Sequence, residues 1–345
     1  MQISRESIFS SALRSFCKMF FSVIGVLIAI FVFSCIYSIF SGVSLIEEKT
    51  TMHILPDASG NRDASAFTSP VILQINVHGI IGDPKAIDTT AIESILLDSR
   101  SGLLKGDRVK GILLHFDTPG GTVLDSDNIY RMLNEYKAKY KVPIFGFVNG
   151  LCASGGMYIA SSADQVFAGP ASVIGSVGVV MGPFFNVADT LGKLGIQSKT
   201  ITEGLDKDMM NPTRPWKEGE DASIKAIMAY FYDQFVEIVT NARPRLSKEK
   251  LINEYGARIF DGIKAQAFGY VDTAMSSRND ALTALLHQAQ IDPAKPYQVI
   301  ELIPKNNWIS DLFESKSPIF SGTIEHQLDF GQPKIKDQFA YLYTP

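Results

Sequence analysis

Cysteine is scarce. Three residues, Cys17, Cys35 and Cys152, cannot make a disulfide framework, and no Cys-x-x-Cys pair or Cys/His cluster has the spacing of a zinc site. An excess of positive charge is also missing: 32 Lys and Arg stand against 36 Asp and Glu, a formal net charge of −4, which argues against a nucleic-acid-binding face. Histidine numbers only five (His53, His78, His115, His287 and His326). None has an Asp or Glu in a recognisable triad context, so a Ser-His-Asp hydrolase has little to build on. No convincing internal repeat or low-complexity tract is present. What remains is a chain of 345 residues, 46% hydrophobic and 20% charged, long enough for about one to three domains with a sizeable core.

The apolar residues are concentrated near the N-terminus. Met19 to Ile46 carry no charged side chain, and roughly 20 such residues suffice to cross a bilayer core. Arg5, Arg14 and Lys18 precede the run, whereas Glu47, Glu48 and Lys49 follow it. The positive-inside tendency therefore predicts a single-pass anchor at 19–46, a cytoplasmic N-terminus at 1–18 and an exported remainder. A cleavable signal peptide, with Ser41, Gly42 and Ser44 as its small residues, is the competing reading, but its apolar region runs only about 7–15 residues. Removing residues 1–46, which hold Arg5, Arg14 and Lys18 against Glu6, leaves a net charge of −6 on the exported part.

Residues 47–69 are polar and rich in turn formers, including Pro56, Asp57, Gly60 and Asn61, and read as a flexible stalk. A domain at 70–303 follows, with a tail at 304–345 whose structure the pattern does not indicate. Val71–Val77, Val109–Phe116, Val142–Val148, Ile196–Ile201 and Gln298–Ile303 read as strands. Thr90–Leu104, Asp125–Lys139, Asn186–Leu194, Glu218–Asn241, Lys248–Tyr255, Gly262–Phe268 and Asn279–Gln288 read as helices, the first with a capping box from Thr90 and Glu93. Alternating strands and helices predict an α/β fold with right-handed crossovers.

Three glycine-rich junctions could carry chemistry. Asp117-Thr118-Pro119-Gly120-Gly121 closes a predicted strand and opens a helix, where paired glycines can aim backbone N–H groups at a ligand oxygen, although such a turn is often only a turn. Asn149 to Tyr158 contains Ser154 followed by Gly155-Gly156 at a predicted helix start, which suits an exposed nucleophile with a neighbouring N–H at Gly155; a capping serine is the bland alternative. Cys152 reads better as a small buried thiol than as a nucleophile. Gly175-Ser176-Val177-Gly178 reads mostly as glycine-rich strand packing, with Ser176 able to orient a neighbour.

A serine nucleophile needs a base, and with histidine disfavoured the alternative is lysine. Lys207, in Gly204-Leu205-Asp206-Lys207-Asp208, is the candidate; a solvated loop charge is its ordinary alternative. Holding a lysine neutral near pH 7–8, against an ordinary value of about 10.4, costs on the order of 4 kcal/mol, which burial can supply. Asp206 and Asp208 would oppose this, unless an extended backbone turns them to the opposite face.

The order and spacing of these junctions, with Gly204-x-x-Lys207-Asp208 followed by Pro212, and Gly256-Ala257-Arg258-Ile259-Phe260-Asp261-Gly262 with Gly269-Tyr270-Val271-Asp272, resemble the bacterial signal peptide peptidase A (protease IV) family from Val71 to Asp272. The resemblance implies a ClpP/crotonase-like fold of repeated β-β-α units behind one N-terminal transmembrane helix. It implies Ser154 as nucleophile, Lys207 as general base, Ser176 as the serine that orients the lysine, and Gly155 with Gly121 or Gly120 as the oxyanion hole. No metal or organic cofactor is implied. Met157, Asp117-Thr118 and Leu205-Asp206 depart from the commonest family pattern at substrate or packing positions. The single catalytic unit implies a homo-oligomeric ring or dome whose neighbours complete each site. Implied substrates are remnant signal peptides and other apolar, membrane-associated peptides, cleaved on the outer side of a bacterial inner membrane. A crotonase-type acyl-CoA enzyme and a catalytically silent membrane scaffold are the alternatives; the predicted anchor opposes the first, and retention of both Ser154 and Lys207 opposes the second.

Overall fold

A computed structural model describes residues 8–40, 49–64, 66, 68–305 and 340–342. The chain divides into two units, Met1–Glu48 and Lys49–Pro345. The first is a helix, α1 (Ile8–Phe40). Its window Ala12–Ser34 has a mean hydropathy of 2.5 and is long and apolar enough to cross a membrane. The helix thus starts ahead of the predicted anchor and takes in Arg14 and Lys18, while residues 41–46 of that anchor lie outside the described residues. Helix geometry tolerates basic residues at an end of such a span, because their long side chains reach back to the interface.

The second unit is built on a mixed sheet. Its elements in chain order are β1 (Thr50–Leu55), β2 (Val71–Ile81), α2 (Thr89–Asp98), β3 (Val109–Thr122), α3 (Val123–Tyr140), β4 (Ile144–Ala153), α4 (Gly155–Ala160), β5 (Gln165–Ala168), β6 (Val173–Gly175), α5 (Ala188–Lys193), α6 (Ala222–Ala242), α7 (Lys248–Lys250), β7 (Ile259–Asp261), α8 (Gly262–Phe268), α9 (Arg278–Gln288), β8 (Gln298–Pro304) and β9 (Ala340–Leu342). Among the described residues the strand order is β1-β8-β2-β3-β4-β6-β7, with β5 also on β4 and β9 on β3. The central neighbours β2, β3 and β4 are parallel, and the outer pairs β1/β8 and β6/β7 are antiparallel.

Both faces of the centre are buried, which is why these strands read as nearly unbroken apolar runs. On one face Leu73, Ile75, Ile112, Leu114 and Phe116 pack with Ile129 and Leu133 of α3, Tyr158 and Ile159 of α4, and Phe235 and Val239 of α6. On the other, Ile72, Leu113, Phe145 and Val299 meet Ala281, Leu282 and Leu285 of α9.

Four expectations need correction. The predicted stalk contains β1, whose register on β8 runs from Thr50↔Pro304 to Leu55↔Val299, so His53 sits on a sheet edge opposite Glu301. Ile196–Ile201 forms no strand: no residue between Val177 and Glu220 is buried, and among the described residues no neighbouring strand pairs with this segment. The first helix is capped by Asp88, whose side chain accepts from the Ala91 N–H, rather than by Thr90, and it ends at Asp98. Lys248–Tyr255 is one short α turn followed by a wider-wound turn at Leu251–Tyr255.

Candidate active site

Ser154 is the single residue between the end of β4 and the first turn of α4, and it has no exposed surface. Its backbone is at φ 53°, ψ −115°, a left-handed conformation that costs a non-glycine residue roughly 1–3 kcal/mol. Two contacts hold it there: its N–H donates to the Gly175 carbonyl at 2.9 Å, and Tyr158 N–H donates back to its carbonyl at 3.1 Å. The Oγ points toward the Gly178 carbonyl at 3.5 Å. Register along β4 and β6 pairs Ala153 with Gly175, so Ser154 and Ser176 follow one another across the strand ends. Ser176 is also buried and also left-handed, φ 55°, and its N–H donates to Arg258 at 2.8 Å.

The glycines lie where only glycine fits. A Cβ on Gly121 would overlap the Ile81 carbonyl, and one on Gly155 would overlap Ser126 Oγ and stand 3.3 Å from the Gly121 nitrogen. The Gly121 and Gly155 backbones therefore approach each other beside Ser154. Gly155 N–H is the first of α4 and so has no partner within the helix. Gly120 differs from expectation, because its N–H already donates to Thr118 Oγ1 at 3.0 Å. Of the three glycines expected at an oxyanion hole, Gly121 and Gly155 are the two whose backbones come together beside Ser154. The Pro-Gly-Gly segment also continues β3 through Thr122 instead of ending it, with a register shift beyond Phe116.

The end of this strand is pinned by polar contacts that leave no local pattern in the sequence. Thr118 Oγ1 donates to the Gly79 carbonyl at 2.5 Å. Thr122 caps α3 by accepting the Asp125 N–H at 3.0 Å and donates to Asp125 Oδ2 at 2.6 Å. The other oxygen of Asp125 accepts from both the backbone and the hydroxyl of Thr89. Those hydrogen bonds hold the Asp125 carboxyl below the usual carboxylate range against the opposing effect of burial, which is the largest single influence on it. At the far end of α4 the buried Arg243 donates to the Ala160 and Ala163 carbonyls at 2.9 Å each and to Asp272 at 2.9 Å. Cys152 is buried against Met157 Sδ at 3.8 Å, and burial pushes its thiol up strongly, which agrees with a packing role.

Lys207 stands apart. It is exposed in a turn rather than an extended segment, and among the described residues its ammonium has no hydrogen bond or ion pair, to Ser154, Ser176 or any other group. Asp208, next in sequence to Lys207, is engaged elsewhere. Arg214 donates to Asp208 Oδ2 at 2.7 Å and to Glu220 at 2.7 Å, and holds the Asp208 carboxyl below its usual range. The segment around Lys207 also exposes Phe185, Leu194, Ile196, Ile201 and Leu205, the last two 86% and 95% accessible.

Among the described residues no histidine contacts Ser154. His78 and His115 instead pair with each other, Nε2 to Nδ1 at 2.6 Å, on the sheet face opposite the core that holds α4. Burial, then the charge of His78, lowers His115 from its ordinary value to about 4. His287 is exposed on α9, and His326 lies outside the described residues.

Residues 136–292 match the model of peptidase family S49. A putative signal peptide peptidase SppA of Enterococcus faecium is 30% identical over 65% of this chain, and a putative protease of Synechocystis is 35% identical over 53%. The chain spans 65% of the length of each, a little under two thirds. Among solved structures, a ClpP1 mutant from Listeria monocytogenes aligns with a TM-score of 0.40 at 17% identity, covering 61% of this chain and 94% of that one.

Proposed function

We propose, for a chain whose residues 136–292 belong to peptidase family S49, that it is a membrane-anchored serine endopeptidase with a Ser154/Lys207 dyad. The observation that carries this reading is the strained backbone of Ser154 at a strand-to-helix junction, with the Gly121 and Gly155 backbones drawn together beside it. Ser154 Oγ attacks a peptide carbonyl while neutral Lys207 takes its proton. The N–H groups of Gly155 and Gly121 stabilise the oxyanion. Lys207 then protonates the leaving amine and activates the water that releases the acyl group. Ser176 orients the lysine.

Lys207 reaches Ser154 in an assembly. Its segment carries exposed apolar side chains with no element among the described residues over them, as a surface made for a second copy would. Packing against a neighbour would bury the ammonium, and burial disfavours the charged form. We therefore assign a homo-oligomer, a ring or dome, in which one protomer's Lys207 serves another's Ser154. The substrates are remnant signal peptides and other apolar peptides released in the bilayer. With α1 across a bacterial inner membrane and the N-terminus cytoplasmic, the catalytic unit works on the outer side.

Mixing tests this arrangement. Ser154→Ala and Lys207→Ala proteins, each inactive alone, should regain about a quarter of wild-type turnover of an apolar reporter peptide when co-assembled at equal amounts, because about one interface in four then joins two intact halves. Recovery below about 1% would contradict completion by a neighbour.

A further inference from the structure

The route of β4 toward Ser154 is interrupted at Asn149-Gly150. Val148 still pairs with Phe116 of β3 and with Ala168 of β5. Pairing resumes only at Leu151↔Val173 on β6 and Thr118↔Cys152 on β3. The two residues between have no cross-strand partner on either side, and Asn149, Gly150 and Leu151 together stand against Asp117 alone, a bulge in β4. Asn149 is exposed, and among the described residues its side-chain amide makes no hydrogen bond.

The bulge requires its glycine. Gly150 has φ 120°, and a Cβ there would overlap Asp117 Oδ1, which accepts the Leu151 N–H at 3.0 Å. The fold therefore fixes a glycine directly after an exposed asparagine, and Asn149-Gly150 is the only Asn-Gly step in the chain. That step has a chemistry of its own. With no side chain on Gly150 in the way, its backbone nitrogen can reach Cγ of Asn149. A new N–Cγ bond forms, the bond from Cγ to the side-chain nitrogen breaks, and the proton from the Gly150 nitrogen leaves with that amide as ammonia. Water then opens the resulting succinimide ring at one carbonyl or the other, giving aspartate or isoaspartate at position 149. Water is the only co-reactant.

We propose that Asn149-Gly150 is a spontaneous modification site, and that its conversion to isoaspartate disables the nucleophile. Isoaspartate routes the backbone through Cβ and Cγ, which lengthens β4 by one carbon, about 1.5 Å, shortly before Ser154. The chain beyond the bulge has little freedom to absorb that shift. Leu151, Cys152 and Ala153 are in register with β6, and the Ser154 N–H is bonded to Gly175. Misplacing a reacting group by about 1 Å costs roughly a hundredfold in rate. The effect on turnover rests on the peptidase reading, whereas the modification does not.

The test is to age the full chain in mildly alkaline buffer and follow mass and activity together. Peptide mapping should show a gain of about 1 Da in the peptide that holds Asn149, with isoaspartate among the products. The isoaspartate-containing fraction should retain about 1% of the starting turnover of an apolar reporter peptide. An isoaspartyl methyltransferase, which returns isoaspartate to aspartate, should restore it. Asn149→Gln, whose longer side chain closes a ring far more slowly, should keep its mass and its turnover through the same treatment. Asn149→Asp, which has the new charge on an ordinary backbone, should stay within about threefold of wild type. Absence of isoaspartate at position 149 would overturn the site. Isoaspartate with turnover intact, or an equal loss in Asn149→Gln or Asn149→Asp, would overturn its effect on Ser154. Isoaspartate forming in a protein that shows no hydrolysis even when fresh would uphold the modification and sink the peptidase reading instead.

Discussion

Replacing Ser154 with alanine is expected to lower hydrolysis of an apolar reporter peptide by a factor on the order of 10⁴ to 10⁶, the range found when a serine nucleophile is removed from a unit that works together. The fold should survive, because among the described residues the hydroxyl's one hydrogen-bond approach is to the Gly178 carbonyl, at 3.5 Å. A second replacement separates strain from chemistry. Ser154→Gly should be equally inactive yet more stable by roughly 1 kcal/mol, since glycine adopts φ 53° without penalty. Lys207→Ala should match the loss of turnover while leaving the urea midpoint of the separate protomer unchanged, as expected of a side chain that is exposed there and has no partner among the described residues. Lys207→Arg should not rescue it, because a guanidinium does not give up its proton near neutral pH. Turnover within about tenfold of wild type in either alanine variant would remove that residue from the dyad.

The second large effect is on stability. Arg243 is buried and donates to the Ala160 carbonyl at the end of α4 and to the Ala163 carbonyl just beyond it, with Asp272 as its counter-charge. Asp272 in turn accepts the Val166 N–H at 2.8 Å, so one carboxylate ties α6, β5 and the loop after α8 together. Arg243→Met fills similar volume but strands two carbonyls and a carboxylate. The expected cost is roughly 3–5 kcal/mol in urea unfolding of the folded unit. Because α4 starts at Gly155, loosening its far end should also disturb the strained Ser154 backbone. A loss below about 1 kcal/mol would show that the clamp contributes little.

Much of the centre was legible in the sequence because burial on two faces leaves an unmistakable trace. β2, β3 and β4 were predicted from their Val, Ile, Leu and Phe runs, and α8 was predicted with the bounds it has, Gly262–Phe268. The glycine junctions were legible for a related reason: Gly121 and Gly155 leave no room for a Cβ. Local pattern failed where partners are distant. β1 looks like linker because an edge strand needs little apolar surface, and its neighbour β8 is some 250 residues away, as the bond from Thr51 Oγ1 to the Ile303 carbonyl illustrates. β9 is three residues long, and its only signal is pairing with Gly120–Thr122. Arg243 was passed over because a lone arginine after a helix normally reads as solvated. Ile196–Ile201 failed in the opposite direction. Its β-branched residues have the composition of a strand, but a strand needs a neighbour, and the described residues offer none.

The dyad can be tested most directly by covalent labelling. A serine-directed acylating probe added to the detergent-solubilised full chain should modify one residue, and peptide mass mapping should place it at Ser154. The Lys207→Ala protein should label at least about 100-fold more slowly if the lysine activates that hydroxyl. A label on any other residue, or equal labelling rates with and without Lys207, would contradict the assignment.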